Sequence, residues 1–557
     1  MRRPEPTKPR SGENTSSGRT AMVRTQRRQE AGVNDKHLTS HFELLGRISG
    51  GFAAAALFLS AMPVQAQQVA DRPRLTVAVQ ELPDSLEPVM KTRTSAFQVV
   101  PSIFDFLIET DYSDNFDRKP GLATNWKRID ERTMEVDLRP GVVMHDGRVM
   151  TAEDVAFSFG PQRVSGEDAP AYGPSRAYLK TIERVEVVDE DTVRFVTSKP
   201  DPVLEARLSG WMSQVVSKKA FQEAESFSDW ERAPVSTGPY KVQSFKTKDE
   251  LVLAAHDDYW DGTPPYSTIR YVEVPEQSSR IAGLVAGDYD IITDIDPDQL
   301  ELVESYGDLE VVGGDTIMTR SIRFSTNHPV LKDPRIRLAL SLAIDRQAIV
   351  DSLWDGRVGL TNGFQFPYYG ELYIEEHKGP GYDPDRAREL MAEADYDGSP
   401  IPYRVLEHWY PVELPTSEAI AAMWEAVGFN IDMQVQASWD TILVENPAFI
   451  HNGATLMNIP DPVGGLWRVY GEGSSIDRRN QWRNEEFNKL GNVLETSLDP
   501  QARRDAFKRM LQIVDWEDVP ATELHMRGAF YGKRAGIDWQ PTPAPYLDFG
   551  PTDTGVN

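Results

Sequence analysis

Residues 401–436 read IPYRVLEHWYPVELPTSEAIAAMWEAVGFNIDMQVQ. The stretch opens as a strand in IPYRVLEH, passes through the helix of EAIAAMWEAVGF and closes on the strand of NIDMQVQ. With ATLMNI (454–459) following as another strand, the order is strand, helix, strand, strand. A parallel neighbour in a sheet is reached only through a crossover, so this series predicts a parallel α/β layer.

The pattern extends in both directions. Upstream, IRFST (322–326) reads as a strand, and KDPRIRLALSLAIDRQAIVDSLW (332–354) as one long amphipathic helix with Pro334 near its first turn. A further helix begins at the Asp-Pro pair of DPDRARELMAEADY (383–396), and a late one covers DPQARRDAFKRMLQIVDWE (499–517). The first half opens on RLTVAVQ (74–80), rich in β-branched residues and read as a buried strand. Strand-like segments with Asp-Gly and Asp-rich turns follow, among them TMEVDLRPG (133–141) and VEVVDEDTVRFVTS (185–198). Between them Thr151 stands three residues before Asp154, close to a capping box. SSRIAGLVAGDYDII (278–292) reads as a helix ending near Gly287 and running into a strand. The pattern changes after Ile317, which predicts two α/β lobes joined near residues 317–325.

At 557 residues, the chain is too long for a single core. It contains no cysteine, which excludes disulfides, thiolate zinc sites, cysteine catalysis and a lipidated N-terminal cysteine. Residues 1–50 carry ten Lys/Arg against five Asp/Glu. An apolar run from Phe52 to Met62 follows, then Val64-Gln65-Ala66. Eleven residues are too few to span a bilayer but suit a signal-peptide core, with cleavage expected after Ala66 and Met1 or Met22 as the start. The paired arginines of RTQRRQEAG lie about twenty residues before the apolar run, so export by the general route is favoured over the twin-arginine route. The expected mature chain, Gln67–Asn557, has 49 Lys/Arg and 81 Asp/Glu. That acidity argues against a nucleic-acid partner, which needs a basic surface. No cofactor or metal site is expected. His145-Asp146 and His256-Asp257-Asp258 sit at turn signals without ligand spacing.

PGLATNWKRIDERTMEVDLRPGVVMHDGRVMTAEDVAFSF (120–159), STGPYKVQSFKTKDELVLAAHDDYWDGTPP (236–265) and DPRIRLALSLAIDRQAIV (333–350) resemble the family 5 solute-binding proteins of bacterial ABC importers, relatives of dipeptide-, oligopeptide- and nickel-binding proteins. The resemblance runs in order from about Arg74 to Met526. It implies a two-lobed α/β periplasmic-binding-protein clamp of the type II, cluster C-like kind, with an extra subdomain in the first lobe. The expected boundaries are 1–66 for the N-terminal extension and signal peptide, 67–105 and 237–317 for lobe I, 106–236 for the extra subdomain, 318–524 for lobe II and 525–557 for a return to lobe I. It also implies a monomeric periplasmic protein that delivers its solute to an inner-membrane permease with ATPase subunits. By their own chemistry, the quoted motifs are structural. Asp146-Gly147 makes a turn, Gly238-Pro239 fixes the chain path, and Arg335, Arg337 and Asp345 are expected on a surface helix, paired with neighbours.

A binding protein needs no catalytic constellation, and the sequence has no G-x-S-x-G, H-E-x-x-H, Walker lysine or G-x-G-x-x-G motif. A carboxylate-based periplasmic hydrolase and a chaperone-like polypeptide holder stay open as alternatives. A ligand site in an α/β protein lies at the carboxyl ends of strands. Four loops qualify and supply the expected contacts: Glu81 in ELPDS, Trp409 and Tyr410 in EHWYPVE, Trp439 in ASWDT, and Asn458 and Asp461 in LMNIPDPVGG, with Trp467 just beyond. Aromatic faces suit sugar rings, aliphatic chains or cationic groups. Peptide-binding relatives carry an acid, paired with the peptide amino group, where this chain has Asn458. An amide cannot neutralise an ammonium, so the expected ligand is a neutral or zwitterionic polar solute, such as an oligosaccharide or modified amino acid, over a simple peptide. The bland reading is that Asn458 ties the loop together, or that Asp461 or Glu407 takes over the amine contact.

Overall fold

In the computed structural model the described residues are 72–90, 94–112, 116–407 and 410–551. The expected signal peptide (1–66) and Trp409 lie outside them. Sixteen strands run through the described residues in chain order. β1 (Arg74–Val79) buries Leu75, Val77 and Val79, as its β-branched sequence requires. β2 (Ile108–Asp111) and β3 (Asp117–Pro120) form an antiparallel pair. β4 (Ala123–Asp130), β5 (Thr133–Leu138), β6 (Ile182–Val187) and β7 (Thr192–Thr197) make a separate antiparallel sheet in the order β4-β5-β7-β6. There follow β8 (Tyr240–Lys246), β9 (Glu250–Ala255), β10 (Thr268–Glu273), β11 (Ile291–Ile292) and β12 (Leu309–Phe324). β13 (Ile401–Leu406), β14 (Ile431–Gln436), β15 (Ile450–Leu456) and β16 (Ala521–Arg534) complete the set.

Ten of these strands form one sheet, ordered β14-β13-β15-β12-β16-β11-β1-β10-β9-β8. The opening stretch of the sequence behaves as its pattern predicts. β13 is parallel to both β14 and β15, and the helix Glu413–Val427 makes the crossover. That helix buries Ile420 and Trp424 against Tyr403 and ends at Gly428 with φ of 112°, a left-handed position that favours glycine. On the other side, β1 is parallel to β10 and β11.

The two parallel sets are joined by the long antiparallel pair β12 and β16. Residues 309–315 of β12 pair with 528–534, and residues 319–323 pair with 521–526. The register breaks between Asp315 and Thr319. The sequence predicts a change after Ile317; the chain instead runs on as one strand and absorbs the change as an irregularity. Gly313, with φ of 120°, lies just before it. A Cβ there would come within 2.1 Å of the Ala529 carbonyl oxygen, so close backbone approach requires glycine.

Two further expectations change. Residues 332–354 form two helices, Pro334–Leu342 and Arg346–Leu353, because the Asp345 side chain accepts from the Ala348 amide (3.0 Å) and starts a new helix. Arg337 is interior, with 1% exposure. It donates to the Leu331, Lys332, Asp518 and Val519 carbonyls and pairs with the Asp518 carboxylate (2.5 Å). Arg335 stays at the surface, paired with Asp333 at 2.6 Å. The Thr151 helix start holds: Asp154 Oδ2 accepts from the Thr151 amide at 3.1 Å.

Candidate functional site

A cavity of about 1530 Å³ opens along the β12/β16 pair. Its walls come from segments that follow parallel strands: Gln80 and Glu81 after β1, Pro275–Gln277 after β10, Asp294–Asp298 after β11, Glu407 and Tyr410–Pro415 after β13, and Trp439 after β14. A parallel sheet sends its strand ends and loops to one edge, which is why residues far apart in sequence meet there. Met318, Arg323 and Arg527 reach it from β12 and β16, and Ser95 and Gln98 from the helix Thr94–Ile103.

The lining holds nine carboxylates (Glu81, Glu276, Asp294, Asp296, Asp298, Asp351, Asp355, Glu407, Glu413) and three guanidiniums (Arg280, Arg323, Arg527). Not all of these are available to a solute. Glu413 is buried and pairs with Arg320 at 2.6 Å, and Arg320 lies 3.5 Å over the Tyr410 ring while donating to the Gly453 carbonyl. The Tyr410 face is thereby fixed by a stacked cation. Arg280 spends its donors on the carbonyls of Val274, Pro275, Thr293 and Asp294. The Asp294 carboxylate accepts from Thr293 (2.6 Å) and Gln98 (3.3 Å). Trp439 is half-buried against Leu406, Ile442 and Phe449, with its position on the cavity wall held by that small cluster.

Of the residues named from sequence, the structure brings Glu81, Tyr410 and Trp439 to this cavity. Asn458, Asp461 and Trp467 do not line it. Asn458 instead borders a small internal space of about 10 Å³, beside Tyr112, Ser209, Gly210 and Ile317, and its Oδ1 is buried without a partner. That space is on the order of a single water. Its amide thus faces this small space and not the large cavity.

Asp461 is a structural residue. Its carboxylate receives two hydrogen bonds from Arg503 Nη2 (2.8 and 2.9 Å) and one from the Val463 amide (2.8 Å), all in the interior. Trp467 is a core plug. Cβ atoms at Gly471 and Gly491 would fall 2.2 and 2.0 Å from its ring, so the two glycines make the space it fills. The loop LMNIPDPVGG is thus held rigid by a buried ion pair and by backbone packing at Gly464, where a Cβ would meet Ile459 at 2.4 Å.

Sequence reasoning passed over Arg320, Arg323, Glu523 and Arg527. The available signal was in ELHMRGAF, where Glu523, His525 and Arg527 recur at every second position of a β-like segment. β16 is buried along almost its whole length, so these charges are interior. Burial pushes the Glu523 carboxyl up to about 7, and Oε1 accepts from Thr455 at 3.0 Å. Burial also drives His525 down to about 4.

Among the described residues no group of three or more His, Cys, Asp or Glu is arranged to hold a metal ion. His145 and His256 come together with ring centroids 5.1 Å apart, both directed at the Gly238 carbonyl. His256 is buried despite its place at a turn signal, and burial lowers both histidines, His145 to about 3. No described helix is long and apolar enough to cross a membrane.

Residues 117–477 match the model for bacterial extracellular solute-binding proteins, family 5 Middle. The heme-binding protein A of Haemophilus influenzae is 28% identical over 299 residues, 50% of this chain and 54% of that protein. The dipeptide-binding protein of Escherichia coli is 26% identical over 335 residues, 56% of this chain and 62% of that one. The chain thus spans about half to three-fifths of the length of these curated relatives. The ABC transporter-associated periplasmic binding protein DppA of Helicobacter pylori, solved with the peptide STSA, superposes with a TM-score of 0.74 at 19% identity, covering 87% of this chain and 99% of that chain.

Two outcomes follow from the buried charges. Asp461→Asn leaves Arg503 without its anion and is expected to cost about 3–5 kcal/mol in denaturant unfolding; a variant of unchanged stability would return Asp461 to the ligand contacts. Glu523 has a folded value above its ordinary 4.5. Its contribution to stability is therefore full below pH 4.5 and lost as pH rises through 7. Glu523→Gln should flatten the decline in melting temperature between pH 5 and pH 8, a difference on the order of 3 kcal/mol. Parallel profiles for wild type and variant would mean that the carboxyl does not hold its proton.

Proposed function

The chain belongs to family 5 of the bacterial extracellular solute-binding proteins, and on that premise we propose that it is the solute-capturing component of an ABC import system. Members of this family are binding proteins of transporters and work in the periplasm or outside the cell. The observation that carries the reading is the 1530 Å³ cavity built from strand-end loops on both sides of the β12/β16 pair. A solute lodged there touches both parallel sets at once, so its binding energy goes into drawing them together. The register break between Asp315 and Thr319 is the place where that movement is taken up. The parts flanking it act as the two lobes, with the β4-β5-β7-β6 sheet as the added subdomain. The loaded, closed form is what an inner-membrane permease would receive.

The solute we favour is a peptide or peptide-like zwitterion. Carboxylates at Glu81 and Glu407 and an arginine at Arg527 face one cavity, a mixed lining that suits a molecule with an ammonium at one end and a carboxylate at the other. Two of the relatives above are described as binding dipeptides or a peptide. Tyr410 and Trp439 supply apolar area between the charged ends.

Screening di- to pentapeptides, opine-like conjugates, amino acids and oligosaccharides by thermal shift tests the reading. A true ligand at a hundredfold its dissociation constant should stabilise the protein by about 2.7 kcal/mol. The same ligand should contract the molecule in small-angle scattering, and a saturated protein of unchanged dimensions would refute the clamp. Export completes the proposal: N-terminal sequencing of protein from the periplasmic fraction should begin at Gln67, and an intact N-terminal extension on exported protein would contradict it.

A further inference from the structure

We propose that Arg527 is the anion-receiving group of the cavity: it takes a carboxylate of the captured solute, a deepening that rests on the solute-binding reading above. Arg527 lies on β16 between Met526, which pairs with Thr319, and Gly528, which pairs with Asp315. It therefore sits at the register break where the long strands pass between the two parallel sets. Its backbone carbonyl accepts from Thr316 Oγ1 at 2.8 Å, which fixes the residue on the β12 side of the break. Its side chain lines the cavity, yet the residue is only 6% exposed.

The other arginines buried to nine-tenths set the comparison. Arg163 pairs with Glu87, Arg207 with Asp201 and Glu495, Arg320 with Glu413, Arg337 with Asp518 and Arg503 with Asp461. Arg280 has four backbone carbonyls. Arg527 alone among them forms no ion pair and donates no side-chain hydrogen bond to the described residues, and its Nε is buried without a partner. A guanidinium nitrogen removed from water without an acceptor is unfavourable, because nothing replaces its lost hydration. Among the described arginines buried to nine-tenths Arg527 is the exception, and it lines the cavity; the half-buried Arg323 on the same wall also has an Nε without a partner but gives a donor to the Ala454 carbonyl.

The geometry of the group narrows the ligand. A guanidinium fork matches a carboxylate through two parallel N–H···O bonds, and a phosphate equally well. The cavity wall decides between them. With carboxylates outnumbering guanidiniums nine to three, a doubly charged phosphate would be repelled, whereas one carboxylate on an otherwise neutral or cationic molecule would not. Ser95 Oγ, buried without a partner on the same wall, adds a neutral donor. A peptide C-terminus and the acid arm of an opine-type conjugate both supply such a carboxylate, and the test separates these sources.

The test compares wild type, Arg527→Met and Arg527→Lys as full chains, first stripped of ligand. Removing an unpaired buried charge should leave the Arg527→Met melting temperature at or above that of wild type. A clearly lower value would make Arg527 a structural residue and overturn the proposal. Calorimetry then uses a tripeptide library as free acids, the same library as C-terminal amides, and a panel of opine-type dicarboxylates. Free acids should bind wild type at least about 100-fold more tightly than amides, and Arg527→Met should lose the same factor, with Arg527→Lys between. If only the dicarboxylates bind and Arg527→Met abolishes it, the anion assignment stands and the peptide reading falls. Should amides bind as well as acids, or Arg527→Met bind acids like wild type, the assignment falls and the peptide reading stands. Binding of neither anionic class to wild type overturns both.

Discussion

The pairing of β12 with β16 joins two sets of parallel strands in one ten-stranded sheet, and the cavity takes its position from it. A shared apolar core and ion pairs such as Arg207 with Glu495 also bridge the two halves of the chain. Fusing the two sets through a continuous antiparallel pair keeps backbone hydrogen bonds satisfied across the middle of the sheet, where an exposed strand edge would be a liability. The same pair cannot be uniformly stiff. Its register shifts twice, between Asp315 and Thr319 and again between Arg320 and Ser321, and Gly313 permits the close backbone contact with Ala529 beside the first. The cavity lies against this stretch of the pair.

Electrostatics explains how an acidic chain keeps a defined interior. The formal charge is −27, and yet the buried carboxylates are mostly matched. Glu87 receives Arg163 and the Trp230 indole, Glu495 receives Lys180, Lys199 and Arg207, and Asp461 receives Arg503. Such pairs add little net stability over apolar packing, but losing one partner is costly, so they fix which segments lie together. Glu495 to Arg207 joins positions 288 residues apart, and Asp461 to Arg503 fastens the proline-rich loop to a late helix. Against that background Arg527 stands out among the described arginines buried to nine-tenths, because the fold gives its side chain no partner.

The cavity itself combines three kinds of surface. Carboxylates at its rim, the aromatic faces of Tyr410 and Trp439, and the buried arginine on β16 together favour a solute with separated charges and an apolar body. Tyr410 is held by Arg320, and Trp439 by the cluster around Leu406, so both rings are set in place before any solute arrives. That preorganisation lowers the ordering cost of binding.

The sequence by itself determined the parallel α/β class, the elements of the 401–436 stretch and the helix starts at Thr151 and at the Asp383-Pro384 pair, because periodicity and turn chemistry are local properties. The family was legible through the resemblance of whole motifs, such as residues 120–159. The sequence also placed Glu81, Tyr410 and Trp439 on strand-end loops, since the carboxyl end of a parallel strand can be read from strand order alone. Only the tertiary structure decided the rest. Asp461 and Trp467 resemble loop residues until Arg503, 42 positions on from Asp461, and Gly491, 24 positions on from Trp467, are brought against them together with the nearby Gly471. Asp345 divides one amphipathic pattern into two helices because its side chain takes a backbone amide, a competition that apolar periodicity does not record. Arg527 reads as an ordinary strand charge. Its significance arises from burial beside a cavity without an ion-pair partner among the described residues, and a missing partner is a property of three-dimensional neighbours, which no local pattern of residues contains.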